Sequence, residues 1–315
     1  MILIIVFFAA GIFLLVKGGD MFIDAAGWVS DVSGVSRVVI GATLVSFATT
    51  APEYFVSLIA VLKGSNDLSV GNAVGSLIAN LGIAFALLAV FTPGKVHDRL
   101  FGPKGVIMIL AAAALLYFCL DGNVSPAEGF CLLAIFAVSM FVNIKFAKDG
   151  GGADGPAKNR KPTNTREIVI NVLKFVLGAG AIILGSNFVV DSGQKIAARL
   201  GVSEAIIGLT VLAVGTSLPE IATSIAAIVK KQNALSIGNI IGANILDTTL
   251  ILATGSFVSG GGLVVSRGTA AIDLPAALAL MAVAVLPTAL GKRVYVWQGV
   301  LLACLYLAYL IVIMR

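Results

Sequence analysis

Two apolar stretches of this chain carry the same costly dipeptide, proline followed by glutamate, at Pro52-Glu53 and Pro219-Glu220. Each stretch is long enough to cross a bilayer. A charge at bilayer depth costs about 2.5–3.5 kcal/mol on insertion scales, so it persists where a partner or a function holds it. A proline in a helix interior also strips the hydrogen bond from the carbonyl four residues back, here Ala48 and Gly215. Freed backbone of this kind is tolerated in a membrane only against protein or a water-filled cavity. The carboxylates, the freed carbonyls and the hydroxyls of Thr49, Thr50, Thr216 and Ser217 together form an all-oxygen environment that suits a hard cation.

Composition places these stretches in a membrane protein. Of 315 residues, 59% are hydrophobic and 12% charged, where a soluble domain carries about 25% charged residues. Mean hydropathy is +1.05. Hydropathy predicts ten spans, at 2–28, 37–62, 68–91, 104–120, 126–146, 168–198, 204–229, 235–257, 269–290 and 294–314. The apolar start has neither a basic region before it nor a cleavage site after it, so it reads as the first span. The net charge of +5 belongs to connecting loops, so the expected partner is the lipid bilayer and not nucleic acid. Cys119, Cys131 and Cys304 lie in apolar runs without metal-ligand spacing and read as small core residues. His97 sits in a polar connection. No cofactor is expected.

The chain is a duplication. Gly18 aligns with Gly185, Asp24 with Asp191 and Gly34-Val35-Ser36 with Gly201-Val202-Ser203, and 40–80 aligns with 207–247 without a gap. The shared residues include Gly, Thr, Pro, Glu, Ser and Asn, which random apolar segments do not share in register. The predicted division is a first five-helix repeat at 1–146, a hydrophilic linker at 147–166 and a second repeat at 167–315. Five is odd, so the second copy enters the bilayer inverted. The expected fold is therefore an all-α membrane protein of ten transmembrane helices, in two inverted five-helix repeats with broken helices at the midplane. Such inverted repeats are a transporter architecture with the site between the repeats. Basic residues favour one face: Arg37, Lys95, Arg99, Lys104, Lys145, Lys148, Lys158, Arg160, Lys161, Arg166, Lys230, Lys231, Lys292 and Arg293 lie there, against Lys63, Lys195, Arg199, Arg267 and Arg315 on the other. The positive-inside rule then puts both termini outside and the linker in the cytoplasm, in a multi-pass protein of the cell membrane.

The polar residues of the second span, Ser46, Thr49, Thr50, Glu53 and Ser57, recur at steps of three and four and share one helix face. Their counterparts are Ala213, Thr216, Ser217, Glu220 and Ser224. Glu53 and Glu220 are expected in the first turn of a half-helix, where the dipole favours negative charge. The third and eighth spans add Asn72, Ser76 and Asn80, matched by Asn239, Ala243 and Asp247. Gly71, Gly75, Gly238 and Gly242 allow close helix approach. Three carboxylates facing one chamber suit one divalent or several monovalent cations. Oxygen donors suit Ca²⁺, and the absence of His and Cys argues against zinc or copper. Asp24 and Asp191, near span ends, read as interfacial or structural, as do Lys17, Asp20 and Asp31. Other readings of the same residues are a proton-coupled or potassium-dependent exchanger, an intramembrane hydrolase and a cation channel.

The two blocks resemble the signatures of the cation/calcium antiporter superfamily, in its sodium/calcium exchanger branch. The second is the closer: Gly215-Thr216-Ser217-Leu218-Pro219-Glu220, then Gly238-Asn239 and Gly242-Ala243-Asn244. The first is Thr49-Thr50-Ala51-Pro52-Glu53, then Gly71-Asn72 and Gly75-Ser76. The resemblance implies alternating access in which Na⁺ entry drives Ca²⁺ export, by a monomeric transport unit. It implies that Glu53 and Glu220 are the central Ca²⁺ ligands, helped by the carbonyls of Thr49 and Thr216. It also implies that Ser46, Thr50, Ser76, Ala213, Ser217, Asn80 and Asp247 line the sodium and central sites. Two positions depart from the pattern, with Thr50 and Ala243 each standing where the family has serine.

Overall fold

The computed structural model describes residues 2–96, 100–145, 164–199 and 215–313. His97, most of the linker, the beginning of the seventh span and Ala213 lie outside the described residues. The helices are α1 (Ile2–Ser33), α2 (Arg37–Leu62), α3 (Asn66–Phe91), α4 (Phe101–Phe118), α5 (Pro126–Lys145), α6 (Thr165–Arg199), α7 (Leu218–Val229), α8 (Asn233–Val258), α9 (Thr269–Gly291) and α10 (Val296–Ile313). Among the described residues all but α7 are long and apolar enough to cross a membrane. Nine of the ten spans expected from hydropathy are found with ends displaced by a few residues, and of the seventh, 204–229, the described helical part is Leu218–Val229.

Local chemistry sets several helix starts. Ser36 caps α2 by accepting from the Val39 amide. Ser125 and Glu128 form a reciprocal capping box at α5, with the Glu128 carboxylate accepting from the Ser125 amide at 2.7 Å and the Ser125 hydroxyl accepting from the Glu128 amide at 3.3 Å. Asn164 accepts from the Glu167 amide at α6. α3 and α8 are the most buried helices, whereas α1 and α6 turn long apolar faces outward. Exposed side chains such as Phe13, Phe55, Tyr117, Phe141, Val176 and Leu290 form the belt that lipid covers.

The repeats are related by an approximate two-fold exchange of equivalent parts. Short strand β1 (Gly94–Lys95) pairs antiparallel with β4 (Arg293–Val294), and β2 (Asn123–Val124) with β3 (Leu263–Val264). β1 and β3 follow α3 and α8, while β2 and β4 precede α5 and α10, so each pair joins unlike ends of the two repeats. The crossing of α1 and α6 obeys the same exchange. A Cβ at Gly11 would lie 2.8 Å from the Gly185 carbonyl, and one at Gly18 would lie 2.9 Å from that of Gly178. Gly178 is the repeat mate of Gly11, and Gly185 that of Gly18. Small residues at these points let the backbones meet.

The helix interruptions differ between repeats. Pro52 sits inside a continuous helical stretch, Ser46–Leu62, and the irregular turn comes just before it, as a π-helical turn at Gly41–Val45. In the second repeat α7 begins at Leu218, after turn residues 216 and 217, with Pro219 in its first turn. There the expected break is complete, because proline at a helix start removes an amide that has no intrahelical partner in any case. Further π turns open at Asn80 and Asp247, which are repeat mates. Single π turns inside helices recur at functional sites. At one end of the bundle Lys230 holds Asp24 at 2.9 Å and Asp20 at 3.6 Å, fastening α1 to the end of α7. Burial works against the Lys230 ammonium, but the two aspartates outweigh it and hold its pKa above the ordinary value. Asp24 thus has a structural partner in Lys230.

Gly18→Leu and Gly185→Leu should each force α1 and α6 apart and lower stability by about 1–3 kcal/mol. Gly180→Ala on α6, with no atom within 4 Å of the added carbon, should leave the thermal unfolding midpoint in detergent unchanged or slightly raised.

Candidate cation site

The polar faces of α2, α3, α7 and α8 meet in the middle of the bundle. Glu53 and Glu220 are buried, and their carboxylates come within hydrogen-bonding reach of each other. As carboxylates both only accept, so neither satisfies the other. Glu220 Oε1 accepts from the Thr50 hydroxyl at 2.9 Å, which ties the two repeats together. Glu220 Oε2 and both oxygens of Glu53 are buried without a protein donor. Asp247 is buried within electrostatic range of both glutamates, and neither of its oxygens has a donor. The Asn80 amide oxygen is likewise buried and unpartnered. Among the described residues none of the three carboxylates has an ion-pair partner.

Thr49 and Thr216 carry the clearest symmetry of the site. The Thr49 hydroxyl donates across the repeat boundary to Asn239 Oδ1 at 3.2 Å, and Thr216 donates to Asn72 Oδ1 at 3.1 Å. Each asparagine then donates to a hydroxyl of its own repeat, Asn72 to Ser57 at 3.0 Å and Asn239 to Thr223 at 3.0 Å. Four polar groups thereby fix the carbonyl-bearing turns that precede the glutamates. Ser76 adds a hydroxyl contact to Thr216 at 3.1 Å. Its mate Ala243 has no oxygen to offer Thr49. Ser46 turns its hydroxyl back onto the Thr43 carbonyl at 3.1 Å, so its side chain is engaged within its own helix. Ser217 is buried at the start of α7.

The structure thus brings together Glu53, Glu220, Asp247, Asn80, Thr49, Thr50, Thr216, Ser76 and Ser217. Among the described residues no three His, Cys, Asp or Glu side chains form a tight metal cluster. A cation in this chamber would meet two glutamates supplemented by aspartate, amide, hydroxyl and carbonyl oxygens, a mixed set that suits Ca²⁺. The sequence reading passed over the polar residues of α6. Ser186, Asn187 and Gln194 line a cavity of about 120 Å³ together with Pro52, Thr216 and Pro219. Backbone irregularity beside those prolines therefore faces a partly polar space, as membrane burial requires. Only the polar face of a helix whose lipid side is strongly apolar pointed to these residues.

The sequence pattern of the family described as sodium/calcium exchanger protein matches residues 3–145 and 170–315. The chain belongs to the sodium/calcium exchanger family. Among relatives of this family member, the inner membrane protein YrbG of Escherichia coli is 33% identical over 255 residues, covering 80% of this chain and 78% of its own. The sodium/calcium exchanger MaX1 of Methanosarcina acetivorans is 28% identical, covering 96% of both chains. A solved structure of the sodium-calcium exchanger NCX_Mj soaked with Na⁺ and Sr²⁺ superposes with a TM-score of 0.83 at 29% identity, covering 98% of this chain and 97% of that one. This exchanger-family chain is a multi-pass cation/Ca²⁺ antiporter and not an enzyme, so the hydrolase reading falls away.

Thr216→Val removes side-chain bonds to both Asn72 and Ser76, whereas Thr49→Val removes the side-chain bond to Asn239 and a bond to the Ser46 carbonyl of its own helix. Buried hydrogen bonds in membrane proteins average about 0.6 kcal/mol and reach about 1.7. Thr216→Val should therefore lower stability by roughly 1–2 kcal/mol and Thr49→Val by less than about 1, measured by thermal unfolding of the purified proteins.

Proposed function

We propose that this protein exchanges Ca²⁺ for Na⁺ across the cell membrane by alternating access, with Ca²⁺ held between Glu53 and Glu220. The observation that carries this reading is the set of buried, donor-free oxygens on Glu53, Glu220, Asp247 and Asn80. Negative charge in a low-dielectric core is stable when a cation neutralises it, and a divalent ion neutralises a glutamate pair. The carbonyls of Thr49 and Thr216 complete the central site, their turns held by Asn239 and Asn72. Hydroxyls of Thr50, Ser76 and Ser217 and the carbonyls near Ser46 and Ala213 supply further oxygen positions. Those exceed the six to eight that one Ca²⁺ takes and accommodate Na⁺ in its place. The exchanger names borne by MaX1 and NCX_Mj support the sodium coupling.

The approximate two-fold gives this reading its mechanism. Because equivalent parts exchange places, one conformation open to one side has a counterpart open to the other. The repeats at 1–146 and 167–315 are the two exchanging halves, joined by a cytoplasmic linker at 147–166, with both termini outside. One chain contributes both halves of the cage, so one chain is the transport unit.

The test is ⁴⁵Ca²⁺ uptake into Na⁺-loaded proteoliposomes, with H⁺ and K⁺ gradients substituted in turn. A Na⁺ gradient alone should drive uptake, and uptake driven only by H⁺ or K⁺ would refute the coupling. Glu53→Gln and Glu220→Gln should each abolish exchange while leaving a monodisperse, folded protein. Near-normal exchange in both would refute the ligand assignment. Asp247→Asn, which copies Asn80 of the first repeat, should alter the Na⁺ dependence of transport more than it alters the unfolding midpoint.

A further inference from the structure

Asn80 faces a problem that its repeat mate Asp247 does not. A carboxylate presents acceptor oxygens on both sides, whereas an amide presents an oxygen on one side and N–H donors on the other. Turned the wrong way, Asn80 would aim donors at an arriving cation. Asn80 Nδ2 donates to Asn244 Oδ1 at 3.1 Å, and Asn80 Oδ1 is left buried without a protein donor. Asn244 is itself an amide, so its own orientation has to be set. Its Nδ2 donates to the Met108 sulfur of α4 at 3.6 Å. A thioether accepts and never donates. The NH₂ of Asn244 therefore faces the sulfur and its oxygen faces Asn80. That oxygen in turn takes up the NH₂ of Asn80.

We propose that Asn244, oriented by Met108, is a positioning residue that commits the Asn80 amide oxygen to the transported cation. The inference rests on the cation site proposed above. The duplication supplies an internal comparison, because the repeat mate of Asn244 is Leu77. Both are fully buried. The polar relay exists on the side where the cage uses an amide, and an apolar residue stands where it uses a carboxylate. Asn244 and Met108 touch neither glutamate in any hydrogen bond, so they act through Asn80.

Partners of this kind, one shell out from a metal, typically change affinity by about 10–100-fold when removed. Equilibrium ⁴⁵Ca²⁺ binding to the purified chain, paired with ⁴⁵Ca²⁺ uptake in proteoliposomes, tests the relay. Asn244→Leu should raise half-saturating Ca²⁺ by about 10–100-fold and lower the maximal rate far less. Met108→Leu conserves core volume and should shift half-saturation the same way by a smaller factor. In an Asn80→Asp background, where either orientation presents an oxygen, Asn244→Leu should shift half-saturation by less than about twofold, the residue pair being coupled in a double-mutant cycle. Unchanged half-saturation in Asn244→Leu overturns the relay. So does an equal loss in the Asn80→Asp background, which would make Asn244 a packing residue. If Asn244→Leu does not purify as a folded protein, Met108→Leu in both backgrounds decides by the same criteria. A wild-type chain that binds no ⁴⁵Ca²⁺ overturns the cation site and the relay with it, a result distinct from binding that ignores Asn244.

Discussion

Two glutamates buried within reach of each other, with no basic partner among the described residues, are the constraint on which this structure depends. Acceptors cannot satisfy acceptors, and a low-dielectric surround magnifies their repulsion. Across the repeats, the Thr50 hydroxyl donates to Glu220, while both oxygens of Glu53 are left without a donor. The rest of the bundle therefore has to hold the pair in place mechanically. It does so through glycine-lined helix contacts, the reciprocal threonine–asparagine bonds and the strand pairs that fasten one repeat to the other.

The approximate two-fold ties local chemistry to function. Thr49 with Asn239 and Thr216 with Asn72 are one interaction made twice. Exchange of equivalents is also how one sequence can supply two alternately open states of similar energy. The departures from symmetry mark where the halves carry different duties. Asp247 stands against Asn80, Ala243 against Ser76 and Asn244 against Leu77, all at or next to the cage. The second repeat holds the added charge and the first holds the added hydroxyl.

Much of this was legible in the sequence because it rests on hydropathy and on repetition. The bounds expected for the second span, 37–62, are those of α2. The convergence of Glu53, Glu220, Asp247 and Asn80 followed from matching helical faces in two aligned copies. What escaped has physical reasons. A π turn adds one residue to a helix without altering hydropathy, so the turns at Asn80 and Asp247 left no apolar signature. Proline reports a lost hydrogen bond but not whether the helix continues, and at Pro52 it does. Ser46 donates its hydroxyl proton to its own helix, which leaves the oxygen's lone pairs as acceptors, a detail its spacing does not reveal. The two-residue strands are too short for period-two alternation to register. Met108 is one apolar residue among many until Asn244 is seen donating to it.

The central claim is that the glutamate pair binds Ca²⁺ in a cage that Na⁺ also occupies. Equilibrium ⁴⁵Ca²⁺ binding to the purified chain, titrated with Na⁺ at constant ionic strength, tests it most directly. The account predicts saturable binding of one Ca²⁺ per chain, displaced by Na⁺ along a curve steeper than a single competing ion gives, with binding lost in Glu53→Gln. Ca²⁺ binding that survives in Glu53→Gln, or that Na⁺ displaces no better than K⁺ does, would contradict it.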